Sequence, residues 1–256
     1  MKNQKTGRRT AGSRKIMAIS CWLIVWQLAA IWIHNDIMLA GPFETARAFG
    51  ALVQTTSFRA SILHSYGRIV GGFFVGTLLG VILAIVSFLC ETARSMIIPF
   101  VHLCKTVPVA CFVVILLIRA GAQGTALIVS AIVAVPVIYT AMYSGLNSAD
   151  REELEIADMF TMTQADRVKH IFMPALYPFV LGALKLASGV SFKAGIAAEV
   201  IAQTAMSLGN DLYKAKVLLQ TDVLFAITVT IVLLSFATEK AVVFLFRKWG
   251  KINEYE

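Results

Sequence analysis

The feature that most limits this chain is a succession of long apolar runs separated by short polar connections. A helix needs about 20 mostly apolar residues to cross a bilayer. Runs of that kind occupy 16–33, 65–89, a stretch ending at 118, 124–146, 175–202 and 224–246. Composition agrees, with 58% of the 256 residues hydrophobic and 15% charged; soluble domains carry about 25% charged residues. The expected fold is an all-α polytopic membrane protein of about six spans, with a basic arm over 1–15 and one transmembrane domain over 16–256. Basic residues ahead of an apolar run also describe a signal peptide. This run is long for that role and no clean small-x-small cleavage site follows it, so it reads as a retained span.

Gly72, Gly76 and Gly80 recur every four residues in the second span and so share one helical stripe, where a second helix can approach closely. Pro99 and Pro108 break the region ahead of the third span, and Pro136 is placed to bend the fourth. The connection at 34–64 contains "GPFETARAFGALVQ", which suits an amphipathic helix at the membrane surface.

Orientation follows from the basic residues. With the N-terminus inside, thirteen face the cytoplasm: Lys2, Lys5, Arg8, Arg9, Arg14 and Lys15 in the arm, then Arg94, Arg151, Arg167, Lys169, Arg247, Lys248 and Lys251. The outer side holds Arg47, Arg59, Arg119, Lys214 and Lys216, with Arg68 near the outer end of the second span. Both termini are thus expected in the cytoplasm. The basic excess does not indicate nucleic acid, because no basic face with interleaved aromatics exists outside the apolar runs.

The unusual polar stretch lies between spans four and five. Asp150, Glu152, Glu153, Glu155 and Asp158, five of the 15 acidic residues, fall within nine positions. Leu154, Ala157 and Phe160 recur at three-residue intervals and form one helical stripe between these charges. Thr163 can cap a second helix, with Asp166 complementing it. That helix is expected to reach about Phe172; Pro174 marks a break and can sit in the first turn of the following span. The loop over about 150–174 therefore reads as a helix–turn–helix at the inner face of the membrane, its stripe either seated in a partner or resting on lipid headgroups.

These residues resemble the "EAA…G…I.LP" loop of permease subunits in binding-protein-dependent ABC importers. Glu155 and Ala157 match its first and third positions, and Ile171 and Pro174 match its closing residues; Ile156 replaces the middle alanine and Thr161 the loop glycine. The rest of the chain looks similar to the nitrate/sulfonate/taurine branch: "SYGRIVGGFFVG" through Ser65, Arg68, Gly72 and Gly76, "KTVPVACFVVILL", "AAEV" around Glu199 and "TDVLFA". Ser207 stands where that branch has glycine before "LG". The resemblance implies a permease homodimer in contact with lipid in a prokaryotic plasma membrane, with two cytoplasmic ABC ATPase subunits beneath and an extracytoplasmic solute-binding protein outside. It also implies that Leu154, Glu155, Ala157, Phe160, Thr161, Ile171 and Pro174 couple the chain to the ATPase.

The chain itself has no GxxxxGK[ST] phosphate cradle. Cys21, Cys90, Cys104 and Cys111 lack metal or redox spacing, and the four histidines form no HExxH pair. No cofactor, metal or catalytic set is expected, which disfavours an intramembrane enzyme. A secondary transporter or channel is the main alternative, and it would favour a two-half repeat that the sequence lacks. Lys185, Lys193 and Glu199 fall inside the fifth span, where each charge costs roughly 2.5–3.5 kcal/mol on insertion scales. Lys193 and Glu199 could line a solute path, a cation there suiting an anion, or could make structural ion pairs. Lys185 is placed to snorkel inward.

Overall fold

The computed structural model describes residues 3–33 and 38–253. The basic side chains of the arm other than Arg14, together with Lys251, lie outside the described side chains. The helices are α1 (Asn3–Ile33), α2 (Pro42–Gln54), α3 (Thr56–Leu89), α4 (Glu91–Thr106), α5 (Val109–Leu146), α6 (Arg151–Met159), α7 (Gln164–Arg167), α8 (Met173–Ala202), α9 (Leu208–Val217) and α10 (Thr221–Asn253), with a π-turn over Val168–Phe172. By length and composition, Thr56–Leu89, Val109–Leu146, Gln164–Ala202 and Thr221–Lys248 can each cross a membrane, and Met17–Ile33 is a shorter apolar helix.

The chain divides into two compact units, one through the described residues of 1–59 and 211–230, the other through those of 60–210 and 231–256. In the first, Pro42 starts α2 in the first helical turn, where its missing N–H leaves no bond unmade. The Trp26 indole N–H donates to the Ala40 carbonyl at 3.0 Å, and the Trp26 ring lies 5.4 Å from that of Phe225. Phe43, Glu44, Arg47, Ala48, Ala51 and Asp222 line a shallow cleft of about 390 Å³ in this unit.

The second unit is built on α5. A Cβ added at Gly72 would fall on the Leu127 carbonyl oxygen, and one at Gly76 on that of Ala131; at Gly80 it would lie 2.9 Å from Ile138 Cβ. The glycine stripe thus lets α3 and α5 meet backbone to backbone, the packing its four-residue spacing forecast. On another side, Ser130 and Ser191 exchange hydroxyl-to-carbonyl bonds of 3.2 and 3.1 Å between α5 and α8. Phe73, Val101, Ile138, Met142, Leu184, Ala187 and Val242 close one apolar core among α3, α4, α5, α8 and α10.

The break expected ahead of the third span falls at Pro108 alone, and Pro99 lies inside α4. Val107 is extended, as a residue before proline must be, and Pro108 caps α5 after α4 has ended at Thr106. The third and fourth spans share one helix assignment instead, divided at Gly121, whose φ of 65° and ψ of 175° no L side chain readily adopts. Lys105 Nζ donates to Thr140 Oγ1 at 2.9 Å. A straight α5 would carry Thr140 about 45 Å beyond its start, while the four residues from Lys105 to Val109 reach at most about 14 Å. The chain therefore reverses at Gly121, and Val113 of the first arm packs with Ala126 and Val129 of the second.

Pro174 sits in the first turn of α8, as expected, but without a break ahead of it. The helix runs without interruption over Gln164–Ala202, 39 residues. The π-turn absorbs the proline: the Met173 N–H reaches back to the Val168 carbonyl, one residue further than in an α-helix, so the register is already widened where Pro174 offers no N–H.

Candidate functional site

The acidic connection folds through its own caps. Asp150 precedes α6 and its carboxylate accepts the Glu152 N–H at 3.1 Å, while Glu152 and Glu153 sit in the first turn, where the helix dipole favours anions. At the other end the Thr161 N–H donates to the Asp158 carbonyl at 3.1 Å and the Met162 N–H to that of Ala157 at 3.0 Å. That is the bonding of a Schellman stop, which requires a left-handed residue at the position Thr161 occupies. Thr161 adopts it, with φ 51°. Thr163 then caps α7: its hydroxyl donates to the Asp166 carboxylate at 2.6 Å and accepts the Asp166 N–H at 3.3 Å. Arg167 clasps both halves, pairing with Asp158 and donating to the Met162 carbonyl at 3.3 Å.

The apolar face differs from the expected stripe. Ala157 is 1% exposed, buried by the chain itself, and Leu154 is half-buried. Ile156, Met159 and Phe160 are 52%, 82% and 76% exposed. Extrapolating three-residue steps fails at Phe160 because it is the C-cap, at φ −86° and ψ 6°, and has left the helical path. The face available to a partner is thus Ile156, Met159 and Phe160, beside exposed Glu152, Glu153 and Glu155. Ala157 cannot be its close-approach point. Ile171 is buried in the chain as well, and Pro174 is exposed in the first turn of α8.

A second constellation lies at the far end of α8. Glu199 is fully buried. Its Oε1 pairs with Arg68 Nη1 at 3.0 Å, and its Oε2 accepts from the Ser65 hydroxyl at 2.7 Å and the Gly209 N–H at 3.2 Å. Ser65 Oγ in turn accepts the Leu208 N–H at 2.8 Å. Gly209 is required here because a Cβ would collide with Glu199 Cβ and lie 2.7 Å from the Val200 nitrogen. Ser207, where a glycine was expected by resemblance, caps α9 by accepting the Asn210 N–H at 3.0 Å, and donates to the Thr204 carbonyl at 2.7 Å. Of the two roles left open for Glu199, the structure shows the ion pair: with its carboxylate consumed by three donors inside the fold, it is not a free group in a solute path. Sequence reasoning left a structural ion pair with a neighbouring span open for it but named no partner. The available signal was that Arg68 and Glu199, both in apolar runs, each needed a partner away from lipid.

Lys193 and Lys185 are exposed, and neither side chain has a hydrogen-bond or ion-pair partner among the described residues. Ser191 and Gly195 both face α5, Gly195 with no room for a Cβ beside Ser130 Oγ and Ile69. Lys193, two residues from each, is turned about 200° away. No three His, Cys, Asp or Glu residues gather as metal ligands among the described residues.

Membrane-length helices, a capped acidic helix at one end of the bundle and an internally satisfied ion pair at the other mark a polytopic membrane protein. The chain belongs to the family described as the binding-protein-dependent transport system inner membrane component, whose pattern matches residues 76–251. It is similar to the taurine transport system permease protein TauC of Escherichia coli, 25% identical over 84% of this chain and 80% of that one. It is also similar to the putative aliphatic sulfonates transport permease protein SsuC of Bacillus subtilis, 21% identical over 99% and 93%. The nitrate import permease protein NrtB of Synechococcus elongatus is 22% identical over 73% and 70%. The fold is shared with a crystal structure of an amino acid ABC transporter with histidines, at a TM-score of 0.53 and 14% identity, covering 81% of this chain and 97% of that one.

The chain is therefore the membrane-embedded permease subunit of an ABC importer, a transport subunit and not an enzyme. Its family places it with an ATP-hydrolysing subunit and a solute-binding protein.

Proposed function

We propose that two copies of this chain enclose a path for a small anionic solute, each copy crossing the membrane six times with both termini in the cytoplasm. The six are α1, α3, the α4 region with the first arm of α5, the second arm of α5, α8 and α10. The relatives named for taurine, aliphatic sulfonates and nitrate all concern solutes bearing an oxyanion. Lys193 supports the same solute class: it is an unpaired cation in a span, turned away from α5. A cation there needs water or an anion rather than lipid. The exposed apolar side chains of α1, Trp22 and Trp32 among them, suit lipid.

The observation that carries the coupling role is the exposed Ile156, Met159 and Phe160 triad on an acidic helix. Three large apolar side chains in water favour a groove with an apolar floor, and the neighbouring glutamates favour a basic or amide-lined rim. Truncating a buried anchor costs about 2 kcal/mol or more, roughly thirtyfold in affinity. Phe160→Ala combined with Met159→Ala should leave the permease inserted but detach the ATPase on co-purification and abolish uptake. Normal ATPase retention and uptake in that double variant would sink the docking assignment.

A further inference from the structure

The turn joining α8 to α9 is held in a conformation that its own residues disfavour. Gln203 and Met206 both lie in the left-handed region, at φ 47° and 48°, and neither is glycine. Such backbone persists only where the surroundings over-determine it, and it gathers at switch regions. Glu199 holds both ends of the turn. The Glu199 carbonyl accepts the Thr204 N–H at 3.2 Å, holding the entry to the turn, while its carboxylate accepts the Gly209 N–H at 3.2 Å, holding the exit. Ser65 bridges that carboxylate to the Leu208 N–H, and Arg68 Nη2 reaches the Ala205 carbonyl at 3.4 Å, so α3 adds supports of its own; the Thr204 hydroxyl also donates to the Ala122 carbonyl at 2.9 Å and the Ser207 hydroxyl to the Thr204 carbonyl at 2.7 Å.

The other end of the same rod is the acidic loop. Gln164–Ala202 is one helix of 39 residues, about 58 Å long. Thr163 caps its start and Glu199 sits in its last turn. A tilt or rotation imposed at Arg167, which clasps α6, is delivered to Glu199 with no intervening loop to absorb it.

We infer that Glu199 is the positioning residue of a strained latch: it holds residues 203–207 in a conformation that relaxes when displacement of α8 withdraws its carboxylate from Gly209 and Ser65. The latch has two states, and the strain at Gln203 and Met206 favours release. The direction of coupling rests on the reading of α6 as the ATPase-docking helix; the latch itself rests on the geometry around Glu199.

The test uses the assembled importer in proteoliposomes with its own ATPase and binding protein. Gln203→Gly with Met206→Gly removes the left-handed penalty while leaving every Glu199 contact in place. Its complex should melt at the same temperature or higher, retain the ATPase fully, and show uptake and solute-stimulated hydrolysis lowered about tenfold, because the held state has gained stability. Glu199→Gln keeps the side-chain shape but weakens the hold, and should raise hydrolysis in the absence of solute severalfold. A double-glycine complex with undiminished uptake and stimulation would make the turn merely structural and overturn the latch, whatever the Glu199→Gln protein does. ATPase retention separates the two readings. Full retention in the Phe160→Ala, Met159→Ala protein counts against docking through α6, whereas altered turnover at full retention in the double-glycine protein speaks only to the turn.

Discussion

Thr161 shows how far a single residue can be read before its backbone is seen. The resemblance marked its position as a glycine position, and the backbone agrees, because φ 51° is the left-handed conformation that closes α6. A β-branched residue there is strained by about 1–2 kcal/mol, partly offset because glycine would loosen the unfolded chain by roughly 0.5–1 kcal/mol. Thr161→Gly should therefore stabilise the purified protein by about 0.5–1 kcal/mol, read as a higher melting temperature; a lower one would mean that the threonine side chain makes a contact worth more than its strain. Ser207 is the opposite case. Its departure from glycine supplies an N-cap to α9, and nothing about the position alone distinguishes a cap from a strained substitute. Ala157 was legible as small but not as inward-facing, because which side of α6 meets the rest of the chain depends on packing and not on period.

Among the elements, periodicity served best where one helix face settles the outcome. The glycine stripe of α3 could be placed from spacing alone, and its partner α5 comes within Cβ-excluding distance at all three positions. Gly76→Leu would drive a side chain into the Ala131 backbone, and neither helix can yield without separating. The expected loss is about 3 kcal/mol or more, seen as failed assembly or early unfolding; a fully assembled, active variant would refute the close contact. Prolines were uneven guides. Pro108 did end a helix, Pro99 lies inside α4, and Pro174 passes into α8 because a π-turn had already widened the register ahead of it. A proline's missing donor is visible in sequence, but whether neighbouring carbonyls find other partners is not.

At the scale of the molecule, apolar run length gave the helical membrane fold, whereas the pairing of Arg68 with Glu199 across 131 positions had no local signature. Orientation is tested by accessibility: cysteines at Ser57 and Asn210 should react with an impermeant thiol reagent from outside intact cells, and cysteines at Ser148 and Gln164 should not. Labelling of Gln164 from outside would put the acidic loop beyond any ATPase. The unbroken helix from Gln164 to Ala202 also fixes a quantity seldom regarded as a trait, its length counted in residues. Removing one residue between its ends would turn the acidic loop against the α8–α9 turn by about 100° and shorten their separation by about 1.5 Å, and no single substitution could undo both. Selection can exchange side chains along this helix but cannot change its phase, so kindred permeases should differ in length at their connections and keep this interval invariant.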